Sequence, residues 1–180
     1  MTCGDALALG VAFAHVPSAR HAGLVQRLIG GKDIETAIAA ESAPPPASPL
    51  HTQSQPIARC FSAATLPSIL ANLEDAGHAG LDFARYAAHA IRSKSPSSLA
   101  IALRQMQIGA KLDIGEALRT EFRIVSRIAR CHDFYEGVRA VIIEKDNTPQ
   151  WNPKDLAGVS DSAVAAYFAP LETGDLELEA

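Results

Sequence analysis

Long uncharged apolar runs are missing from the sequence, since no stretch reaches the roughly 20 residues that a membrane-spanning helix needs. Only three cysteines occur, Cys3, Cys60 and Cys131, and they lie far apart without a C-x-x-C pair. This spacing favours neither a disulfide framework nor a zinc site, and it indicates a reducing compartment. Basic clusters are also absent and the net charge is −4, so we expect no nucleic acid and no membrane as a partner.

Several enzyme signatures are absent as well. The sequence contains no G-x-S-x-G, no H-E-x-x-H, no P-loop and no dinucleotide fingerprint. His132 and Glu136 are four residues apart and could face one metal ion, but no third ligand lies near them in the sequence. We therefore predict that the chain has no metal site.

The residues that are present favour helices. Ser95 followed by Pro96 is typical of a helix start, and Asp113 followed three residues later by Glu116 is a capping box. The helix after Asp113 is the longest predicted one, with five apolar residues expected to face inward: Ile114, Leu118, Phe122, Val125 and Ile128. Its arginines are expected to point mainly outward: Arg119, Arg123, Arg127 and Arg130. No stretch is long enough to build a sheet, so the sequence predicts a mainly α fold.

Prolines concentrate in residues 41–56, where Pro44, Pro45 and Pro46 are consecutive. Three prolines in a row cannot continue a helix and favour an extended polyproline conformation. We interpret residues 41–56 as a surface loop and as the best candidate for a boundary between two parts of the chain.

The stretch of residues 131–146, CHDFYEGVRAVIIEKD, has the most features of its own. Asp133 and Glu136 have the spacing of a second capping box. Apolar residues at helical spacing predict one apolar face, made by Phe134, Val138, Val141 and Ile142. Gly137 inside this helix indicates that another backbone approaches closely, and Lys145 is expected at the C-terminal end, where a cation suits the helix dipole.

This stretch, continued as NTPQWNP, closely resembles the C-terminal signature of 3-hydroxyisobutyryl-CoA hydrolases, a branch of the enoyl-CoA hydratase/isomerase (crotonase) superfamily. Three further stretches resemble the same family in the same order: DALALGVAFAHVPS, SKSPSSLAIALRQMQIG and AVAAYFAPL. The resemblance implies the helical C-terminal region of a crotonase-like fold, without the N-terminal β/α spiral core. It divides the chain into a helical segment (residues 1–40), the proline-rich loop (41–56) and a C-terminal helical domain (57–180).

Family members polarise an acyl-CoA thioester with two backbone N–H groups, and an acidic side chain acts as nucleophile or general base. The segment that supplies those groups has no counterpart in this sequence, so no catalytic residue is carried over. The resemblance leaves two functions open. The chain is part of an acyl-CoA-processing enzyme, a hydrolase or a hydratase/isomerase, or it is a non-catalytic helical module that binds a partner half or a second copy. On either interpretation we expect a homo-oligomer.

Three residues receive particular interpretations. The resemblance places Lys145 near the nucleotide phosphates of CoA, although Asp146 replaces a second basic residue that is common in hydratases. Glu121 is expected to point inward towards a neighbouring element, the alternative being a solvated residue paired with arginines. Trp151 is expected to anchor its loop on the core rather than to stack on an adenine ring. CoA is then part of the substrate, no separate cofactor is implied, and the expected location is the cytoplasm, or the mitochondrial matrix in a eukaryote.

Overall fold

A computed structural model describes residues 1–172 and 174–178, and every regular element in these residues is helical. The predicted mainly α fold is therefore confirmed. The chain forms two compact units, Met1–Arg59 and Cys60–Ala180. Within the described ranges, no helix combines the length and the apolar composition that crossing a membrane requires.

The first unit contains α1 (Cys3–Ala8), a 3₁₀ turn (Ser18–Arg20), α2 (His21–Ile29), α3 (Ile34–Glu41) and most of α4 (Pro49–Phe61). Asp5 is buried in α1 and accepts hydrogen bonds from the Thr2 backbone N–H at 2.8 Å and from the Ser48 hydroxyl at 2.7 Å. A Cβ atom on Gly4 would lie 2.3 Å from the carbonyl oxygen of Pro46, so only glycine fits there. The proline-rich segment is thus packed closely on α1.

The proline-rich loop is shorter than predicted. Residues 42–48 have no regular structure, but α4 begins at Pro49 and continues through Pro56. A proline at the start of a helix is favourable because its missing N–H would have no partner there. The sequence prediction extended the loop to Pro56 because an interior proline usually disrupts a helix.

The second unit contains α5 (Leu66–His78), α6 (Asp82–Arg92), α7 (Pro96–Gly109), α8 (Ile114–Ile128) and α9 (His132–Val138). A π-helical segment (Arg139–Ile143) continues α9, and a 3₁₀ turn (Leu156–Gly158) and α10 (Asp161–Ala166) follow. The buried core includes Ile69 and Leu73 from α5 and Ala84 and Ala88 from α6. These small α6 residues let the two helices approach closely.

The predicted helix starts are confirmed where a side chain caps the helix within its own turn. Ser95 Oγ accepts from the Ser98 N–H at 3.2 Å, and Asp113 Oδ1 accepts from the Glu116 N–H at 2.8 Å. Thr65 and Ser160 cap α5 and α10 in the same way. Capping satisfies a backbone donor that the helix itself leaves without a partner.

The predicted orientation of α8 is wrong in part. Ile114, Leu118 and Val125 are exposed, whereas Ile124 and Thr120 are buried. Two arginines expected to point outward are half-buried and bind the C-terminal segment: Arg123 pairs with Asp175, and Arg127 donates to the carbonyl oxygens of Tyr167 and Pro170. The apolar pattern identified the helix correctly, but it cannot say which face is covered by residues more than 40 positions away.

Candidate functional site

A cavity of about 740 Å³ lies between the start of α7, α9, the π-helical segment and Trp151. Apolar side chains form much of its wall, namely Leu99, Ile101, Ile128, Val138, Val141 and Ile142. Polar groups reach the same space from Ser98, His132, Asn152 and Tyr167. The stretch of residues 131–146 therefore forms one side of a concave site that mixes apolar wall with a few polar groups, as ligand sites usually do.

Asp133 joins three elements around this cavity. Its carboxylate accepts from the Ser95 hydroxyl at 2.5 Å and from the Asn152 backbone N–H at 2.8 Å, and it lies 3.0 Å from His132 Nδ1. The predicted capping role is wrong, because Cys131 occupies the cap position and Asp133 lies inside the helix. Burial raises the pKa of Asp133, but the hydrogen bonds from Ser95, Asn152 and His132 outweigh it and hold the pKa below its ordinary value.

Glu136 does not cap the helix either. It forms a two-bond ion pair with Arg139, at 2.7 and 2.9 Å, and accepts from the Gln150 backbone N–H at 2.6 Å. The Arg139 guanidinium and this backbone N–H lower the pKa of Glu136 to about 2. Two carboxylates one helical turn apart therefore bind alternate backbone amides of one segment, residues 149–152, which we call the strap.

Trp151 lies in the strap between these two backbone bonds. Its Nε1 donates to the carbonyl oxygen of Ser93 at 3.1 Å, and an added Cβ on Gly137 would lie 3.4 Å from Trp151 Cη2. The ring thus anchors its segment on the helices, as the sequence analysis expected. The prediction for Gly137 was right in requiring a close approach but wrong about the group, because an indole ring approaches it rather than a backbone.

Arg139 follows the cavity-lining Val138 and binds several side chains, and the sequence analysis did not single it out. Besides Glu136, its guanidinium binds Glu144 at 2.5 Å, Asp146 at 2.6 Å and the Thr148 carbonyl oxygen at 3.3 Å. The Glu136 bonds, followed by those of Asp146 and Glu144, raise the pKa of Arg139 above its ordinary value. Glu136 and Arg139, three residues apart on a helix, were a visible signal for part of this network.

Lys145 lies in the turn of residues 144–148, which we call the Lys145 turn. The helix ends before it, at Ile143, so the predicted position in the last helical turn is wrong. Lys145 and Asn147 have φ angles of 57° and 54°, a left-handed conformation that is uncommon for residues other than glycine. Lys145 is exposed, and its ammonium group pairs with no other residue in ranges 1–172 and 174–178.

Of the remaining residues, Glu121 does not line the cavity, whereas His132 and Tyr167 do. Glu121 accepts a hydrogen bond from Gln105 of α7, so the expected contact with a neighbouring element is present, but Glu121 is exposed and the expected inward position is wrong. His132 contacts Asp133 while Glu136 binds Arg139, and no group of three potential metal ligands occurs in the described ranges. Tyr167 donates to, or accepts from, Cys131 Sγ at 2.8 Å, and burial followed by this contact raises the pKa of Tyr167 to about 12.

A row of four apolar side chains is largely exposed, although three of the four also line the cavity. Phe134, Val141, Ile142 and Ile143 are between 45% and 70% exposed. The predicted apolar face of this segment is therefore present, but the described residues leave most of it uncovered. Val138, on the same segment, is half-buried at the cavity wall.

Comparison with known proteins gives concordant matches. The model of the family described as enoyl-CoA hydratase/isomerase matches residues 1–168. Three curated relatives share the name 3-hydroxyisobutyryl-CoA hydrolase, mitochondrial. The zebrafish (Danio rerio) protein is 41% identical over 129 residues, which is 72% of this chain and 33% of the relative. The rat (Rattus norvegicus) protein is 43% identical over 66% of this chain and 30% of its own length. The human protein is 39% identical over 71% and 32%.

Two solved structures are also similar. An enoyl-CoA hydratase from Rhodobacter sphaeroides superposes with a TM-score of 0.85 at 35% identity, covering 99% of this chain and 50% of that protein. A carnitinyl-CoA dehydratase from Mycobacterium thermoresistibile superposes with a TM-score of 0.83 at 33% identity, covering 94% and 48%. The chain thus spans at most 33% of these three curated relatives and at most 50% of these two solved proteins.

Proposed function

The chain belongs to the enoyl-CoA hydratase/isomerase family, and from that premise we propose that it is the C-terminal part of an enzyme that hydrolyses 3-hydroxyisobutyryl-CoA in valine catabolism. The observation that carries this proposal is the identity of 39–43% to the three relatives named as such hydrolases. The solved hydratase and dehydratase are 35% and 33% identical, which makes a hydratase/isomerase activity the second candidate.

We propose that residues outside this sequence carry out the chemical step. Thioester hydrolysis needs fixed donors for the developing oxyanion, and losing one such donor typically lowers the rate by about 10²–10³. It also needs a positioned carboxylate. Asp133 and Glu136 are already engaged by the strap and by Arg139, and Glu121 is exposed on α8. Their contacts favour structural roles over general-base catalysis.

Lys145 is the proposed contact for a phosphate of the CoA nucleotide. Its exposure and its lack of an ion pair within the described residues support this role. The neighbouring Glu144 and Asp146 oppose it, because carboxylates beside a lysine weaken the attraction for a phosphate. CoA is a part of the substrate, and we propose no separate cofactor.

The alternative is a non-catalytic helical module, which the exposed row of Phe134, Val141, Ile142 and Ile143 favours. Exposed apolar patches of this kind usually bind a partner. In either case we propose self-association into a homo-oligomer. We propose the cytoplasm as the location, or the mitochondrial matrix for a eukaryotic source, as the word mitochondrial in the names of the curated relatives suggests.

The proposal is tested with a hybrid enzyme in which this chain replaces the matching segment of the zebrafish hydrolase. Release of free CoA from 3-hydroxyisobutyryl-CoA should be retained by the hybrid and should exceed hydration of crotonyl-CoA. The isolated chain, measured in parallel with its Glu121→Gln and Glu136→Gln variants, should show no turnover. A folded hybrid without hydrolysis would favour the helical module, and turnover by the isolated chain that is lost in one variant would place a catalytic carboxylate here.

A further inference from the structure

We propose that Arg139 is a positioning residue for ligand binding. Its guanidinium holds the Lys145 turn in the conformation that presents Lys145 to the ribose 3′-phosphate of a CoA thioester. This inference rests on the proposed function, since it requires Lys145 to contact that phosphate. Beyond the proposed function, it assigns to Arg139 the role of determining the position of Lys145.

The Lys145 turn places Lys145 in a backbone conformation that a lysine does not favour. Lys145 and Asn147 both adopt left-handed backbone angles, which asparagine tolerates but which are unfavourable for a lysine because of its Cβ atom. Local hydrogen bonds contribute to the turn, since the Asn147 N–H donates to the Ala140 carbonyl oxygen at 3.0 Å and the Thr148 N–H to Asp146 at 2.9 Å. A conformation of this kind persists only where the surroundings hold it in place.

Arg139 supplies that support from both sides of Lys145. Its Nη1 binds Glu144, the residue before the lysine, and Asp146, the residue after it, while Nη2 donates to the Thr148 carbonyl oxygen. The same guanidinium is fixed to α9 through two bonds to Glu136. One planar group with five donors can make all these bonds at once, which a lysine at this position cannot do.

Removing Asp146 distinguishes two ways in which the residues around Lys145 could affect phosphate binding, namely by positioning the lysine and by electrostatic attraction. Carboxylates outnumber the cations around Lys145, so removing Asp146 should strengthen phosphate binding if charge alone matters. Removing Asp146 also deletes one Arg139 bond and the bond from the Thr148 N–H, which loosens the turn. If positioning matters more, the same substitution weakens binding. The two explanations therefore predict opposite signs for one variant.

The experiment follows backbone amide shifts of the full chain, labelled with ¹⁵N, during titration with CoA, dephospho-CoA and inorganic phosphate. In the wild type, amide shifts around Lys145 should be larger with CoA than with dephospho-CoA, which lacks the ribose 3′-phosphate. Asp146→Ala should weaken this phosphate-dependent part about threefold or more, as expected when only a third of the molecules keep the competent turn. Arg139→Gln should weaken the phosphate-dependent binding further, and Arg139→Lys should restore it only in part. Glu121→Gln is the control for Asp146→Ala, because it also removes one negative charge but at a position outside the Lys145 turn.

Each outcome decides between the claims. Equal or tighter phosphate-dependent binding by a folded Asp146→Ala variant would overturn the role of Arg139 and leave the Lys145 contact intact. If the difference between the CoA and dephospho-CoA shifts is the same in the wild type and in Lys145→Gln, Lys145 does not contact the phosphate. The positioning role of Arg139 is then wrong as well. If inorganic phosphate at the same concentration reproduces the CoA shifts, the assignment to a CoA thioester is wrong. The hybrid-enzyme assay remains an independent test of the proposed hydrolysis.

Discussion

At the scale of single residues, Asp133 shows how one side chain connects segments that are distant in sequence. Its partners Ser95 and Asn152 lie 38 and 19 positions away, and its carboxylate is only 9% exposed. Replacing it by alanine leaves the Asn152 N–H and the Ser95 hydroxyl without their acceptor.

We expect Asp133→Ala to lower the free energy of unfolding by about 2 kcal/mol, because the buried Ser95 hydroxyl loses its acceptor and a buried donor left without a partner costs roughly 1–3 kcal/mol. Urea unfolding followed by circular dichroism measures the change. His132→Ala is the control, since His132 is half-exposed and contributes one bond to the same carboxylate; it should cost much less. Equal losses for the two variants would show that the bonds to Ser95 and Asn152 contribute little.

Gly137 allows a second prediction, because the space between it and Trp151 admits a methyl group but not a larger side chain. A Cβ at this position would make an ordinary contact with the indole ring, so Gly137→Ala should be tolerated. Gly137→Leu should displace the ring and destabilise the protein by roughly 1–3 kcal/mol. The chain has a single tryptophan, so its emission spectrum reports directly on this ring. An unchanged spectrum in the leucine variant would contradict the packing described.

At the scale of structural elements, the strap depends on α9 through two carboxylates, and this dependence should vary with pH. The pKa of Glu136 is lowered from its ordinary value of 4.5 to about 2 when the protein is folded. A carboxyl group with a lowered pKa stabilises the folded state above its ordinary pKa, and that stabilisation is lost as the pH falls towards the folded value.

We therefore expect the free energy of unfolding to fall between about pH 5 and pH 2, and Glu136→Gln to flatten this dependence. Urea unfolding at a series of pH values measures both curves. Glu35→Gln provides the control, because Glu35 lies on exposed α3 surface and should leave the slope as it is. A slope that is unchanged in Glu136→Gln would mean that Arg139 and Gln150 do not stabilise the ionised carboxylate.

The same elements show what can be predicted from sequence and what cannot. Helix starts at Ser95 and Asp113 were predictable because donor and acceptor are three residues apart. Asp133 and Glu136 have the spacing of a cap, yet their carboxylates bind the strap, whose approach no local pattern encodes. Lys145 was placed in a helix because the apolar spacing continues to Ile142, whereas the helix ends at Ile143. Lys145 lies in a left-handed turn whose flanking residues Glu144 and Asp146 bind Arg139. Local chemistry identifies the elements, and longer-range contacts decide their roles.

At the scale of the whole molecule, the exposed apolar row on α9 and the π-helical segment predicts self-association. Light scattering at increasing concentration should show species larger than the monomer of 19.0 kDa. Ile142→Asp should shift the population towards monomer, because it places a charge in the middle of the row. Tyr86→Asp, at an exposed position on α6, should have no such effect. A strict monomer that also binds no apolar dye would contradict this expectation.

The strap and the C-terminal segment also bear on how fast the chain folds and unfolds. Trp151 and Ser93 are 58 positions apart and Arg123 and Asp175 are 52 apart, whereas the helix caps act within three or four residues. Closing a long loop costs chain entropy before any contact is gained, so these distant contacts should form after the transition state. Arg123→Ala should then accelerate unfolding and leave the folding rate nearly unchanged, as stopped-flow fluorescence would show. The lifetime of the native state, rather than the speed of reaching it, would depend on the bonds between segments that are distant in sequence.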